Sequence, residues 1–191
     1  YFRCVITCLN SSLSDSSTIV GPVTIQPWSP TSPCYCGTSQ ATSNLYGDIL
    51  NMTMGTLNNT TDCIAPLTGS QGTGTGIASQ RADFTGTVPA PFIYNGLTQN
   101  FSMTIGSCGT TLLHGAKIYI DYNHNASFAD PGEEVYFSGL TGFAVVPSTV
   151  LSGFFVVPAG ALPGTTRMRV IAQYLGYQTA TTITPCGSYT Y

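Results

Sequence analysis

The chain has 191 residues and a formal net charge of -3, and only 7% of its residues are charged, with one lysine and four arginines. So few cations leave no footprint for a phosphate backbone, which excludes nucleic acid as a partner class, and no run of eighteen apolar residues exists to span a membrane. Serine and threonine number 18 and 28, with 21 glycines and 12 prolines, a balance that favours strands and turns in one sizeable sandwich domain plus a fragment.

Residues 1 to 26 are expected to form a hairpin. Tyr1 to Cys8 is its first strand, a Ser-rich turn follows, and Ser17 to Gln26 is its second. Two strands bury too little apolar surface to be stable alone, so this unit reads as a strand donor or as the end of another module. Residues 27 to 33, P-W-S-P-T-S-P, form a proline-punctuated linker that is semi-rigid and extended. Beyond it, Ile49 to Leu57 alternates as one strand, with Leu50, Met52 and Met54 on one side and Asn51, Thr53 and Gly55 on the other. Thr68 to Ser79 is a Gly/Thr/Ser-rich loop. Further strands are expected at Phe92 to Tyr94, Asn100 to Ile105, Lys117 to Tyr122, Glu134 to Phe137, Val150 to Val157, Thr166 to Tyr174 and Thr181 to Thr184. Short strands at this spacing, separated by Gly/Pro/Asn turns, predict an all-β, antiparallel, jelly-roll-like sandwich over residues 34 to 191.

The richest stretch is Lys117 to Val135. Ile118 and Ile120 fall on one face and Lys117, Tyr119 and Asp121 on the other, as in a half-buried strand. Where that strand ends, Asp121, Asn123, Asn125 and Ser127 recur at every second residue, and Asp130, Glu133 and Glu134 follow. A turning loop of this kind directs several oxygens at one centre, the ligand type that Ca²⁺ requires. The same residues also suit a simple hairpin turn. An EF-hand is excluded, since its sixth position would be Ala126 and its twelfth Gly132.

These residues resemble the core of the GEVED domain, a module of secreted and surface proteins of bacteria. The resemblance rests on I-D-Y-N at 120 to 123, Phe128 and P-G-E-E-V at 131 to 135. It is supported by P-C-Y-C at 33 to 36, V-P-A-G-A-L-P-G-T-T-R-M-R-V at 157 to 170, and T-P-C-G-S-Y-T-Y at 184 to 191. Asn125-Ala126 departs from the family's usual Asp-Gly, and the naming G-E-x-E-D-Y strand is not in the chain. Residues 1 to 26 resemble the last strands of an immunoglobulin-like module. Tyr1 opens into a strand with no signal peptide before it, so the chain is expected to be a piece of a longer secreted protein.

Seven cysteines imply an oxidising compartment. The expected pairs are Cys63 with Cys108 and Cys36 with Cys186, the second tying the domain's opening to its closing strand. N-x-S/T sequons at Asn10, Asn51, Asn58, Asn59 and Asn100 mark expected glycosylation sites, while at Asn125 the metal role is preferred. His114 is expected in a strand edge or turn and His124 in a solvated loop; neither has a catalytic context, so no enzyme activity is expected. Arg167 and Arg169 are expected to pair with Glu133 or Glu134. The function expected is an extracellular structural or adhesive module, a self-associating fibre protomer that uses strand addition between neighbours. The alternative is a carbohydrate-binding or spacer domain of a secreted bacterial enzyme such as a peptidase. Against sugar binding, the lone tryptophan, Trp28, lies in the linker.

Overall fold

The structure, a computed structural model, describes residues 5–7, 14–16, 35, 47–61, 83–86, 88–107, 111–176 and 178–187. Those residues contain ten strands and one 3-10 turn. The strands are β1 (Val5–Thr7), β2 (Ser14–Ser16), β3 (Asp48–Met54), β4 (Leu57–Thr60), β5 (Thr98–Gly106), β6 (Leu112–Ile120), β7 (Glu134–Phe137), β8 (Phe143–Val145), β9 (Ser148–Val156) and β10 (Met168–Tyr174). The fold is an all-β sandwich, as expected. One sheet runs β4-β3-β5-β9; in the other, β6 is flanked by β10 on one side and by β7 and β8 in succession on the other. Every pairing is antiparallel.

The core follows from period-two patterning. Met52 and Met54 of β3, Phe101, Met103 and Ile105 of β5, and Phe155 of β9 face Ala116, Ile118 and Ile120 of β6 and Val145 of β8 between the sheets. Phe101 packs edge-on against Tyr136 at 4.8 Å, joining the layers. On the far side of β6 a second cluster gathers Tyr35, Tyr119, Phe128, Ile171, Leu175 and Ile183.

That second cluster corrects the reading of β6 as half-buried. Lys117, Tyr119 and Asp121 are all buried, because segments remote in sequence cover the face expected to meet solvent. The single strand expected over Ile49 to Leu57 is a hairpin instead: Gly55 takes φ 57 and Met54 pairs with Leu57. Only a residue without a Cβ adopts that backbone cheaply, so the chain reverses there. Phe92 to Tyr94 is no strand; the chain turns at Asn95-Gly96 and pairing resumes where the Gly96 amide meets the Val157 carbonyl at 2.9 Å. Thr181 to Thr184 is likewise not a strand. Ala180–Thr182 winds as a 3-10 turn, with the Ile183 amide donating back to Ala180 and Ile183 anchored in the second cluster. The short strand β8 was not anticipated. In the N-terminal hairpin the partner of Val5–Thr7 is Ser14–Ser16, with Val5 opposite Ser16. The expected partner, residues 17 to 26, lies outside the described residues, as do the 27 to 33 linker and the 68 to 79 loop. No helix among the described residues is long and apolar enough to cross a membrane.

Candidate functional site

The loop from β6 to β7 is held at both ends by the sheet. The Ile120 amide donates to the Glu133 carbonyl at 2.9 Å and the Asp121 amide to the Arg167 carbonyl at 3.1 Å, so the loop opens where β6 leaves its two neighbours. Asp121 is fully buried. Its Oδ1 accepts the Asn125 amide at 3.2 Å, and its Oδ2 accepts the Ala126 amide at 3.0 Å and the Tyr35 hydroxyl. The Thr166 hydroxyl donates to the Asp121 carbonyl. One carboxylate therefore organises the whole turn.

Local hydrogen bonds carry the turn onward. Asn123 Oδ1 accepts the Asn125 amide at 3.1 Å, Asn125 Oδ1 accepts the Ser127 amide at 2.8 Å, and Ser127 Oγ accepts the Ala129 amide at 3.1 Å. This is the two-residues-on bonding that Asn and Ser favour in turns. His124 and Ala126 sit at φ 56 and 64, left-handed positions that side chains other than glycine adopt at a cost. Asn125 Nδ2 donates to Asp130 Oδ2 at 2.8 Å, closing the loop across its mouth.

Glu133 sits behind this turn with 2% exposure. Its Oε1 accepts the Tyr122 amide at 3.0 Å and the Asn123 amide also favours the charged carboxylate, while Oε2 meets no donor at hydrogen-bond geometry. Burial, with the nearby charges of Asp121 and Asp130 adding to it, pushes the Glu133 carboxyl up to about 7. Burial and the Glu133 charge in turn push the Tyr122 phenol up. Glu134 does not join this group. It turns outward to Lys117, Oε2 to Nζ 2.8 Å, and accepts the Tyr119 hydroxyl at 3.3 Å. Adjacent residues of an extended segment point to opposite sides, and that separates the two glutamates.

The arginines also have other partners than expected. Arg167 lies 3.6 Å from Asp83 and over the Tyr35 ring, and Arg169 donates to the backbone carbonyls of Tyr35 and Pro185. Phe128 lies under the Arg169 guanidinium, 5.1 Å away. Sequence reasoning assigned no role to Tyr35, Tyr122 or Thr166, although the first is the third residue of P-C-Y-C. His114 is buried in β6 between Phe143 and Tyr174, not in a turn. His124 is half-buried, and its Nε2 is buried with no hydrogen-bond partner. Among the described residues, no three His, Cys, Asp or Glu side chains form a group that holds a metal by itself.

Cys186 is disulfide-bonded, and its partner is not among the described residues; Cys36, Cys63 and Cys108 lie outside them. Asn58 and Asn100 are exposed. With Asn51 they lie on the face of the first sheet opposite Met52 and Phe101, by strand register. Asn51 Nδ2 is engaged by Asn58 Oδ1, the Asn59 carbonyl and Thr60 Oγ1 at 2.8, 3.2 and 3.0 Å. Asn59 is half-buried, and Asn10 is outside the described residues.

The second feature of note is the margin of the first sheet. β9 is nine residues long and, among the described residues, pairs only with β5. Its sequence S-T-V-L-S-G-F-F-V holds no charge and no proline. Val150, Phe154 and Val156 project outward, 61%, 68% and 58% exposed.

Residues 115–191 match the GEVED domain family model. The match starts within β6, so β3, β4 and β5 precede it. No curated protein and no solved structure matches the chain.

Proposed function

We propose, from the GEVED domain match of residues 115–191, that the chain is a non-catalytic module of a secreted or surface protein whose sheet margin accepts a strand from a neighbouring copy. The observation that carries this reading is β9. An edge strand of that length presents a row of unpaired backbone groups, and proteins that stay apart blunt such edges with lysine, proline, bulges or short strands. β9 uses none of these: it is uncharged, regularly paired to β5 over its whole length, and flanked outside by Val150, Phe154 and Val156. Added strands gain affinity from main-chain hydrogen bonds and specificity from alternate side chains. A head-to-tail contact of this type builds a filament wherever its rotation does not close into a ring.

The donor we favour is the N-terminal hairpin, since among the described residues β1 and β2 pair with each other and with neither sandwich sheet. A non-catalytic role is supported by the burial of His114 and by the backbone duties of the loop carboxylates. Light scattering across a concentration series, with electron microscopy of the same samples, tests the proposal. Wild type is expected to grow in mass with concentration. Val150→Lys with Phe154→Lys, a charged edge on an exposed face, should hold it monomeric with an unchanged unfolding midpoint. A wild type that stays monomeric at every concentration refutes the reading, and so does a double variant that assembles as wild type does.

A further inference from the structure

We propose that the loop between β6 and β7 is a Ca²⁺ site, in which Glu133 and Asp121 supply the charged oxygens and Asn123 and Asn125 neutral ones. The first support is Glu133 Oε2, a carboxylate oxygen in a side chain that is 98% buried by its 2% exposure and has no partner. Leaving such an atom unpaired out of water is costly, and its charged neighbours, Asp121 and Asp130, are of the same sign. Of the basic groups nearby, Arg167 faces Asp83, Lys117 faces Glu134, and the His124 ring of the loop itself lies beside Gly164. A small cation is the missing counter-charge.

The second support is the chemistry of the donors. Asp121, Asn123, Asn125, Asp130 and Glu133 offer oxygen alone, the preference of hard cations, whereas a zinc site wants imidazole or thiolate. Among the described residues no three carboxylates or imidazoles converge, so the shell must be completed by amide oxygens, backbone carbonyls and water, as Ca²⁺ allows with its six to eight ligands. The hydrogen bonds already made do not exclude this. A carboxylate has about four lone-pair sites, and Asp121 has three donors on its two oxygens. Asn125 meets Asp130 through its Nδ2, which leaves Oδ1 turned toward the loop amides. With its few charges, the site should bind at a Kd on the order of 10⁻⁴ to 10⁻³ M, the range of extracellular modules.

The test is a CaCl2 titration of the whole 191-residue chain after chelator treatment, followed by thermal unfolding and calorimetry, with NaCl at matched ionic strength as control. Ca²⁺ is expected to raise the midpoint by several degrees and NaCl to leave it unmoved. Glu133→Gln keeps the size and the acceptor for Tyr122. It should fold at least as stably as wild type without Ca²⁺ and bind the ion about tenfold or more weakly. Asn125→Asp adds a charge at the mouth and should tighten binding about tenfold. No shift of folded wild type at saturating Ca²⁺ overturns the proposal, as does a Glu133→Gln protein that keeps the full shift. Should Glu133→Gln not fold, the Asn125→Asp protein decides, and binding no tighter than wild type overturns it.

Discussion

Replacing Tyr35 with phenylalanine removes one hydroxyl and little else. The ring stays against Phe128, 5.1 Å between centroids, and beneath Arg167, so packing is preserved and the loss isolates the hydrogen bond to Asp121. Hydrogen bonds to a charged acceptor are worth about 1.5–3 kcal/mol. Asp121 keeps the amides of Asn125 and Ala126 and is not orphaned, so the lower end, about 1.5–2 kcal/mol, is expected. For a domain of this size that corresponds to a fall in Tm of about 3–8 °C. Urea unfolding in the presence of chelator measures it, and the m-value should not change. The same variant has a pH signature. Burial and Asp121 push the Tyr35 phenol up, and burial and Glu133 push Tyr122 up. A raised folded pKa leaves stability intact below the unfolded value near 10 and removes it as pH rises further. Each of the two phenols then costs about 1.4 kcal/mol per pH unit above 10, and Tyr35→Phe should lose its share of that slope. A variant within about 0.5 kcal/mol of wild type at neutral pH, with an unaltered alkaline slope, would show that the bond contributes nothing.

Three further outcomes are expected. Ala126→Gly should lie within about 1 kcal/mol of wild type, because relief of the left-handed backbone is offset by the lost buried methyl and the freer unfolded chain, whereas Ala126→Val should cost at least about 2 kcal/mol; equal melting of the two would rule out the φ of 64 at this position. Gly115→Ala would bring a Cβ to 2.6 Å from that of Ala180 and to 3.0 Å from Ile183, and overpacking should cost about 1–3 kcal/mol in chemical denaturation. Arg169→Lys, unable to reach the carbonyls of both Tyr35 and Pro185, should lose about 1–2 kcal/mol in the same assay.

Much of this architecture could be read from residue order. β7 has the expected bounds, β5, β9 and β10 depart from them by a few residues, and all follow from alternation of apolar side chains. The hairpin at Gly55 escaped because Met54 and Leu57 continue an apolar run on either side of a turn without an Asn-Gly signal. Burial of both faces of β6 could not be read locally, since Tyr35 and Ile183 come from opposite ends of the domain to cover Tyr119. Thr181 to Thr184 carries β-branched residues without a ladder partner, and tertiary anchoring of Ile183 prevailed over propensity. At the site, the oxygen-rich spacing was visible, but the opposed directions of Glu133 and Glu134 required only the period-two rule and were overlooked. The partner of Asp121 was not accessible by any such rule, because Tyr35 lies 86 residues away.

The placement of the basic side chains has a consequence for handling and survival. Lys117 is buried against Glu134, Arg167 is buried beside Asp83, and Arg169 is half-buried on two carbonyls. Among the described residues no lysine or arginine is exposed: two are buried and the third, Arg169, is held on backbone carbonyls. Trypsin-like proteases, which cleave after such groups, and amine-directed cross-linkers should find little purchase there. For the described sandwich, resistance to such proteases follows from where its positive charges are stored.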